Sequence, residues 1–283
     1  MFKYGLDTIL WTGDFNKGDL SKIDKVKSLG FDAIDIFIDN PNNFPSEEVK
    51  ERIKKNNLDL IITSCLTENT NILYPDINKR KAGIKYLKEL VDLAAQLEAK
   101  MFSGMIYGAL GYFTGKSRTQ EEWKWSVESL KEVALYAKEK KVELAVESVA
   151  GNYSNFLNTA EDAVNYCKEI GTGNIRVHLD TFHMIREESS FTDAVKTCGK
   201  EYLGYIHVCE NNRDVIGTGL IPWKEFLKSL KGIGYNGILT FELFKPESNY
   251  GIGVFRDFKY SREETVLKGL EYLKKLENEL ENN

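Results

Sequence analysis

The chain has 283 residues, of which 42% are hydrophobic and 29% are charged, and its formal net charge is −5. This composition is typical of a soluble globular protein with a large core. The acidic balance argues against a nucleic-acid partner, because nucleic-acid binders usually carry a basic patch. The best apolar run, residues 60–66, is far shorter than the roughly 20 residues that cross a membrane. We therefore expect no membrane partner either.

The four cysteines show no Cys-x-x-Cys spacing, so the sequence predicts neither a zinc knuckle nor a thioredoxin-like pair. The amino-terminal residues enter a strand-like pattern at once and lack the features of a secretory signal peptide. A reducing cytoplasm is the simplest compartment for such a chain.

Strand-like and helix-like segments alternate eight times along the chain. The strand-like runs are short, apolar and often β-branched or aromatic, as buried parallel strands are. Eight such units without a Pro- or Ser-rich linker predict an α/β fold, a (β/α)8 TIM barrel that forms a single domain over residues 1–283. The predicted strands cover 3–10, 32–38, 58–66, 100–106, 142–148, 174–181, 203–209 and 236–243. The predicted helices cover 19–29, 46–56, 77–98, 120–140, 159–170, 189–199, 223–231 and 262–280.

Four consecutive predicted strands in the second half each end near a residue that can bind a divalent metal ion. They are Glu147, Asp180, His207 and Glu242. A barrel presents its active groups where strands run into the following loops. Alternation along a strand predicts that all four side chains point into the barrel. A single acidic strand end is more often a solvated loop residue, but four in register favour a metal site.

Three carboxylates and one imidazole suit Mn²⁺ or Mg²⁺ better than Zn²⁺, and they allow Co²⁺. Such an ion acts as a Lewis acid on adjacent oxygens of a sugar. Glu147 and Glu242 are the acid–base candidates for moving a proton beside a carbonyl. Two opposed carboxylates around an enediolate suggest inversion at that carbon. The chain has only three histidines, too few for a multi-zinc nuclease, and the ligand set is too small for a two-metal aldose isomerase.

The motifs around these residues carry a resemblance to a known family. LDTFHM at 179–184, HVCENNRDVIGTGLIPW at 207–223 and GYNGILTFELF at 234–244 strongly resemble the D-tagatose 3-epimerase / D-psicose 3-epimerase family of ketose 3-epimerases, within the xylose-isomerase-like barrels. Further matches extend the resemblance over nearly the whole chain. They are SLGFDAID at 28–35, SCLTENTNILYPD at 64–76, EESSF at 187–191 and GVFRD at 253–257.

The resemblance implies a metal-dependent enzyme that acts on a free ketose and binds one divalent ion per subunit, Mn²⁺ first, with Co²⁺ or Mg²⁺ as alternatives. Its implied metal ligands are the four strand-end residues named above. It implies that Glu147 and Glu242 exchange the proton at C3 through a cis-enediolate. It also implies that His183 and Arg213 hold substrate oxygens near O1 and O2, and that subunits form a homodimer or homotetramer. The structural alternatives are a helix-capping or buried structural histidine for His183 and a loop salt bridge for Arg213.

Three places depart from the family pattern. Relatives commonly carry an Asn-Arg-aromatic-Glu run where residues 150–153 read Ala-Gly-Asn-Tyr, so a carboxylate is replaced by the phenol of Tyr153. Asp7 stands where relatives often have an aromatic residue, and Phe15 lies near a position that is often Trp. We expect these residues to line the distal end of the sugar site, with Tyr153 and Asp7 contacting the substrate. The preferred ketose is left open.

Two other functions stay open. Tyr153 and Asp7 motivate a different enolising sugar enzyme, either an aldose–ketose isomerase or a keto-sugar dehydratase. A metal-holding, non-catalytic sugar-binding barrel is the third reading, although binding alone needs no opposed carboxylates. The loops over residues 106–118 and 244–261 are long and contain glycine, so either is a candidate lid over the site.

Overall fold

The structure is a computed structural model that describes residues 1–244 and 257–281. Eight parallel strands pair in chain order, and β8 pairs with β1 to close a barrel. The predicted (β/α)8 fold is therefore confirmed. Residues 245–256 of the candidate lid at 244–261 lie outside the described residues. The strands are β1 (Lys3–Asp7), β2 (Ala33–Phe37), β3 (Asp59–Leu66), β4 (Met101–Ala109), β5 (Leu144–Ser148), β6 (Ile175–Asp180), β7 (Leu203–Val208) and β8 (Ile238–Phe241).

Helices follow the strands and surround the barrel. All eight predicted helices are present among the described residues, and their bounds shift by only a few residues. A short additional helix, α6, follows β6 directly and was not predicted. The helices are α1 (Ser21–Ser28), α2 (Ser46–Asn56), α3 (Ile77–Leu97), α4 (Gln120–Glu139), α5 (Ala160–Ile170), α6 (Thr181–Glu187), α7 (Phe191–Tyr202), α8 (Trp223–Gly232) and α9 (Arg262–Glu281).

Local capping explains why several helices start and stop where they do. Thr119 accepts a hydrogen bond from the backbone N–H of Glu122, whose carboxylate accepts from the N–H of Thr119 in return. This reciprocal pair satisfies two backbone donors at the start of α4. Gly171 ends α5 with φ of 66°, a left-handed conformation that glycine adopts without strain.

The barrel interior changes from apolar to polar along the strands. Near the amino-terminal ends of the strands, Ala33, Ile61, Ala145 and Tyr205 pack together inside the barrel. Residues two positions further along a strand face the same side, so the next inward layer is polar and lies toward the carboxyl ends. On those four strands it consists of Asp35, Thr63, Glu147 and His207.

The amino-terminal end of the barrel is tied to the last helix. Glu277 in α9 is buried, and it accepts hydrogen bonds from the backbone N–H of Phe2 at 2.7 Å and from the hydroxyl of Tyr4 at 3.0 Å. Leu270 and Leu273 of the same helix are buried against the core. This contact anchors α9 to the start of β1. Within the described residues, no helix has both the length and the apolar character to cross a membrane.

Candidate active site

A cavity of about 90 Å³ lies at the carboxyl ends of the strands, where a TIM barrel carries its active groups. A larger open groove along α9 contains none of the predicted site residues. The cavity wall combines titratable side chains with an apolar surface. The polar lining residues are Asp7, Thr63, Ser64, Glu147, Tyr153, His183, His207, Arg213 and Glu242. The other lining residues are Ile9, Phe37, Cys65, Gly104, Met105, Leu110, Val149 and Phe244.

The four predicted metal ligands converge beside this cavity. Asp180, His207 and Glu242 each offer one ligand atom, and these atoms lie within 4.8 Å of one another. Glu147 forms a second such group with Asp180 and His183. Asp180 ends β6 and Glu242 follows β8, whereas Glu147 and His207 are the penultimate residues of β5 and β7. The strand ends therefore bring together residues that are almost 100 positions apart in the chain, as the sequence pattern predicted.

The donor atoms in this cluster fit a divalent cation. Asp180 Oδ2 and His207 Nδ1 are both buried and have no hydrogen-bond partner among the described residues. His207 Nδ1 lies 3.5 Å from Glu242 Oε1. Buried polar atoms are nearly always paired, so unpaired acceptors aimed at neighbouring carboxylates are consistent with an ion site. Three carboxylates and one imidazole are also a suitable set for Mn²⁺, Co²⁺ or Mg²⁺.

The carboxyl groups of the cluster differ in their electrostatic surroundings. Burial raises the pKa of Glu147 well above its usual value, and the charge of Glu242 adds to that shift. The same two causes raise the pKa of Asp180 to about 7. Burial acts in the same direction on Glu242, but Arg213 and His207 outweigh it and lower the pKa of Glu242. Glu242 is therefore held ionised, whereas Glu147 and Asp180 favour their protonated forms.

Arg213 lies in the loop after β7 and is buried in the site. Its Nη1 donates to Glu242 Oε2 across 2.5 Å, and its Nη2 lies 3.9 Å from Asp180 Oδ2. The guanidinium carbon lies 4.0 Å from the ring centroid of Phe182 and 4.3 Å from that of Phe244. Stacking on two aromatic rings fixes the plane of the guanidinium. Arg213 is thus part of the site rather than a solvent-exposed loop salt bridge.

His183 comes from α6, the helix that the sequence did not predict. Asp180 accepts a hydrogen bond from the backbone N–H of Phe182 at 2.9 Å and so caps this helix at its first turn. The helix places His183 Nε2 3.8 Å from Glu147 Oε1 and 3.7 Å from Asp180 Oδ2. Burial and the charge of Arg213 lower the pKa of His183 to about 3. Its imidazole is therefore neutral and can both donate and accept a hydrogen bond.

Comparison with known proteins agrees with this fold. The model of the xylose isomerase-like TIM barrel family matches residues 23–276. The D-psicose 3-epimerase of Ruminiclostridium cellulolyticum is 33% identical to the chain, over 94% of this chain and 92% of its own length. The chain belongs to the ketose 3-epimerase family.

Other members are similar over the same extent. A ketose 3-epimerase of Arthrobacter globiformis is 30% identical over 93% of this chain and 92% of its own. A crystal structure of D-allulose 3-epimerase from Methylomonas sp. in complex with D-allulose superimposes with a TM-score of 0.91 at 28% identity, covering 97% of this chain and 96% of that one. The resemblance found in the sequence is confirmed, and the chain is a carbohydrate epimerase, an enzyme of the isomerase class.

Among the positions that depart from the ketose 3-epimerase pattern, only two line the cavity. Tyr153 lies against His183, with ring centroids 5.0 Å apart. Asp7 lies beside the predicted ligands, not at a distal end as expected, because its carboxylate is within 4.8 Å of ligand atoms of Asp35 and His207. The expectation for Phe15 was wrong, since it is buried against Phe44 at 5.9 Å and does not line the cavity.

Sequence reasoning missed two buried carboxylates that support the site of this ketose 3-epimerase. Asp35 in β2 contacts His207 inside the barrel. Glu210 accepts hydrogen bonds from Gly217 N at 2.8 Å and from Trp223 Nε1 at 2.6 Å, and so closes the loop that carries Arg213. Inward parity in β2 marks Asp35 as an interior residue. No local pattern marks Glu210.

Proposed function

We propose that the chain is a metal-dependent ketose 3-epimerase that inverts C3 of a free ketose through a cis-enediolate. The observation that carries this proposal is that Glu147, from β5, and Glu242, after β8, line one cavity and each lies in a cluster with Asp180. Such a pair supplies one carboxylate that can accept a proton and one carboxyl group that can donate. Inversion needs both, because a proton leaves one face of the carbon and arrives at the other.

The groups that would hold the divalent ion are Glu147, Asp180, His207 and Glu242. Their convergence and the unpaired acceptors on Asp180 and His207 support this assignment. Mn²⁺ is the first candidate, with Co²⁺ and Mg²⁺ as alternatives, because this donor set is oxygen-rich with one borderline nitrogen. When bound, such an ion supplies electrophilic stabilisation for negative charge on adjacent sugar oxygens.

The two glutamates carry the proton transfers. Starting from one epimer, the Glu242 carboxylate takes the proton from C3, and the electron pair left behind moves into the C2 carbonyl to form the cis-enediolate. The Glu147 carboxyl group then returns a proton to the opposite face of C3 as the carbonyl forms again. The other epimer uses the same groups in exchanged roles. Positioned acid–base groups contribute roughly 10²–10⁴ in rate, so substrate orientation and electrostatics must supply the rest.

Four other side chains are proposed to bind the substrate. Arg213 uses one N–H on Glu242, and its Nε has no partner among the described residues, so donors remain for O1 or O2 of the sugar. The neutral imidazole of His183 lies beside the same carboxylates. Tyr153 offers a phenol to the cavity. Burial and the charge of Asp35 raise the pKa of Asp7, which favours a protonated, hydrogen-donating Asp7.

A panel of ketoses tests the function directly. The Mn²⁺-loaded protein is incubated with free ketohexoses and ketopentoses, and the products are identified by NMR. The proposal predicts that at least one ketose is converted to its C3 epimer while the carbonyl stays at C2. If no ketose is converted with Mn²⁺, Co²⁺ or Mg²⁺, the proposal is wrong.

Asp7 supports a second candidate function. It adds a further titratable carboxyl beside His207, where proton transfer at another carbon would need one. An aldose–ketose isomerase would move the carbonyl to C1, and a keto-sugar dehydratase would release water. The product spectra of the same panel separate both reactions from C3 epimerisation.

We also propose that residues 1–283 form one domain, that the protein is cytoplasmic, and that its subunits form a homodimer or homotetramer. Family resemblance supports the assembly, and the cysteine spacing supports the compartment. Size-exclusion chromatography with light scattering measures the assembly, and a monomeric mass would contradict it.

A further inference from the structure

We propose that Asp35 is a positioning residue that holds His207 in the tautomer able to bind a divalent metal ion. This inference rests on the metal site of the proposed function and extends it to a residue that is not itself a predicted ligand. Asp35 lies inside the barrel on β2 and is fully buried. A buried carboxylate is costly unless its oxygens are paired, so its partners indicate its role.

Three donors meet the Asp35 carboxylate. Thr63 Oγ1 donates to Oδ1 across 2.9 Å, the Tyr205 hydroxyl donates to Oδ2 across 2.6 Å, and His207 Nε2 lies 3.1 Å from the same Oδ2. Strand β2 pairs with β1 and β3, so Asp35 reaches the two residues of β7 through the barrel interior. Thr63 and Tyr205 therefore fix the carboxylate with groups that are not predicted metal ligands.

This arrangement selects one tautomer of His207. A carboxylate accepts hydrogen bonds and has none to donate, so the Nε2 atom that faces Asp35 carries a proton. In a neutral ring, Nδ1 then presents its lone pair. Nδ1 lies 3.5 Å from Glu242 Oε1 and belongs to the cluster with Asp180. Metal-binding histidines commonly donate their other N–H to a carboxylate in this way, which also fixes the ring orientation.

Packing further restricts the His207 ring. The ring of His178 lies edge-on to it, with centroids 4.2 Å apart and an interplanar angle of 83°. His178 is itself held by a 3.0 Å contact between its Nδ1 and Ser103 Oγ. The ring of Tyr205 also lies edge-on to it at 5.1 Å, so the imidazole is held by the contact with Asp35 and by two aromatic rings.

A second ion between Asp7, Asp35 and His207 is the main alternative, because ligand atoms of these residues also lie within 4.8 Å of one another. The hydrogen bonds argue against it. Both oxygens of Asp35 already accept from other groups, and Asp7 Oδ1 accepts from the backbone N–H of Ile9 at 2.8 Å. This cluster therefore orients His207 rather than binding an ion.

The test compares Asp35→Asn with Glu277→Gln. Both changes replace a buried carboxylate by an amide, but Glu277 lies at the amino-terminal end of the barrel, where it accepts from Phe2 and Tyr4. Mn²⁺ affinity is measured by electron paramagnetic resonance titration. We expect the Kd of Asp35→Asn to rise about 10- to 100-fold, whereas Glu277→Gln lowers the melting temperature and leaves the Kd unchanged.

The tautomer is read by NMR of the protein with ¹⁵N-labelled histidine, loaded with diamagnetic Mg²⁺. We expect protonated Nε2 and unprotonated Nδ1 for His207 in the wild type, and a shift toward protonated Nδ1 in Asp35→Asn. A wild-type His207 protonated at Nδ1, or an Asp35→Asn protein with wild-type Mn²⁺ affinity, would overturn the inference. The wild-type tautomer decides the question even if Asp35→Asn fails to fold.

The two proposals fail in different ways. A wild-type protein that binds none of Mn²⁺, Co²⁺ and Mg²⁺ would contradict the metal site itself, and the role of Asp35 would fall with it. Unchanged metal affinity in Asp35→Asn, with normal binding by the wild type, contradicts the role of Asp35 alone.

Discussion

The guanidinium of Arg213 donates to the Glu242 carboxylate across 2.5 Å, which joins a proposed substrate-binding residue to a proposed base. Two aromatic rings, Phe182 and Phe244, hold the guanidinium between them. The contact lowers the pKa of Glu242, so that this carboxyl group is ionised and can accept a proton. Arg213, from the loop after β7, thus gives Glu242 the lowest pKa among the site carboxyl groups discussed above.

Arg213→Lys should lower kcat/KM by roughly 10- to 100-fold. A charged hydrogen bond contributes about 1.5–3 kcal/mol, and lysine lacks the planar fork that stacks between two rings. Steady-state kinetics on the converted ketose measure the effect. Arg186→Lys is the matched control, because Arg186 is exposed on α6 and should keep wild-type kinetics. Equal kcat/KM in wild type and Arg213→Lys would contradict this role.

Glu147→Gln and Glu242→Gln should each lower kcat by roughly 10²–10⁴, because each removes one positioned acid–base group. Glutamine keeps an oxygen that can face an ion, so Mn²⁺ affinity is measured beside kcat to separate loss of metal from loss of proton transfer. Glu225→Gln, on the exposed face of α8, is the control. Either site variant with wild-type kcat would remove that residue from the mechanism.

Asp180→Asn should change how stability depends on pH. The pKa of Asp180 is raised from 3.8 to about 7 by burial and by Glu242, so folding favours the protonated form. The stability that this preference contributes is complete below the unfolded pKa and is lost as pH rises through about 7. With a chelator present to remove metal ions, the wild type should lose this stability between pH 5 and 7, whereas Asp180→Asn should not. The melting temperature of Asp180→Asn minus that of the wild type should therefore rise over this range and then level off.

Adding Mn²⁺ should raise the melting temperature of the wild type relative to that of Asp180→Asn. A ligand that binds only the folded state at a hundredfold excess over its Kd stabilises it by about 2.7 kcal/mol, and the wild type should gain more than Asp180→Asn. Differential scanning fluorimetry follows both variants with and without the ion. A constant difference in melting temperature across pH, or equal stabilisation by Mn²⁺, would contradict the assigned place of Asp180.

Asp7→Asn should raise KM by roughly 2- to 10-fold with a smaller effect on kcat, since it changes one proposed hydrogen bond to the sugar. Asparagine can still accept from the Ile9 N–H that Asp7 now binds. The order of preference among ketoses should change with it. Phe15→Leu is the control, because Phe15 packs against Phe44 away from the cavity. Unchanged KM for every ketose would exclude a contact between Asp7 and the substrate.

Much of this arrangement could be predicted because it follows from strand parity. Alternation fixes which residues face the barrel interior, and parallel strands bring their carboxyl ends to one edge, so Glu147, Asp180, His207 and Glu242 could be grouped from sequence alone. The motif that carries Arg213 could be found by resemblance. Both signals are local in the chain and need no knowledge of how the barrel closes.

The features that the sequence did not predict depend on contacts that form only in the folded barrel. Asp35 meets His207 because β2 and β7 face each other through the interior, and parity gives the direction of a side chain but not its partner. Helix α6 was missed because Asp180 both ends a strand and caps the helix, which leaves no loop to mark the boundary. Phe15 was misplaced because its position was inferred from relatives, whereas its packing is set by Phe44.

The central claim is proton exchange at C3 by two carboxyl groups, and conversion in D₂O tests it most directly. The Mn²⁺-loaded protein is given the ketose that it converts, and the position of deuterium in product and recovered substrate is read by NMR. The proposed chemistry predicts solvent deuterium at C3 of the product and at no other carbon. Product that carries no deuterium, or carries it at C1, would contradict the claim.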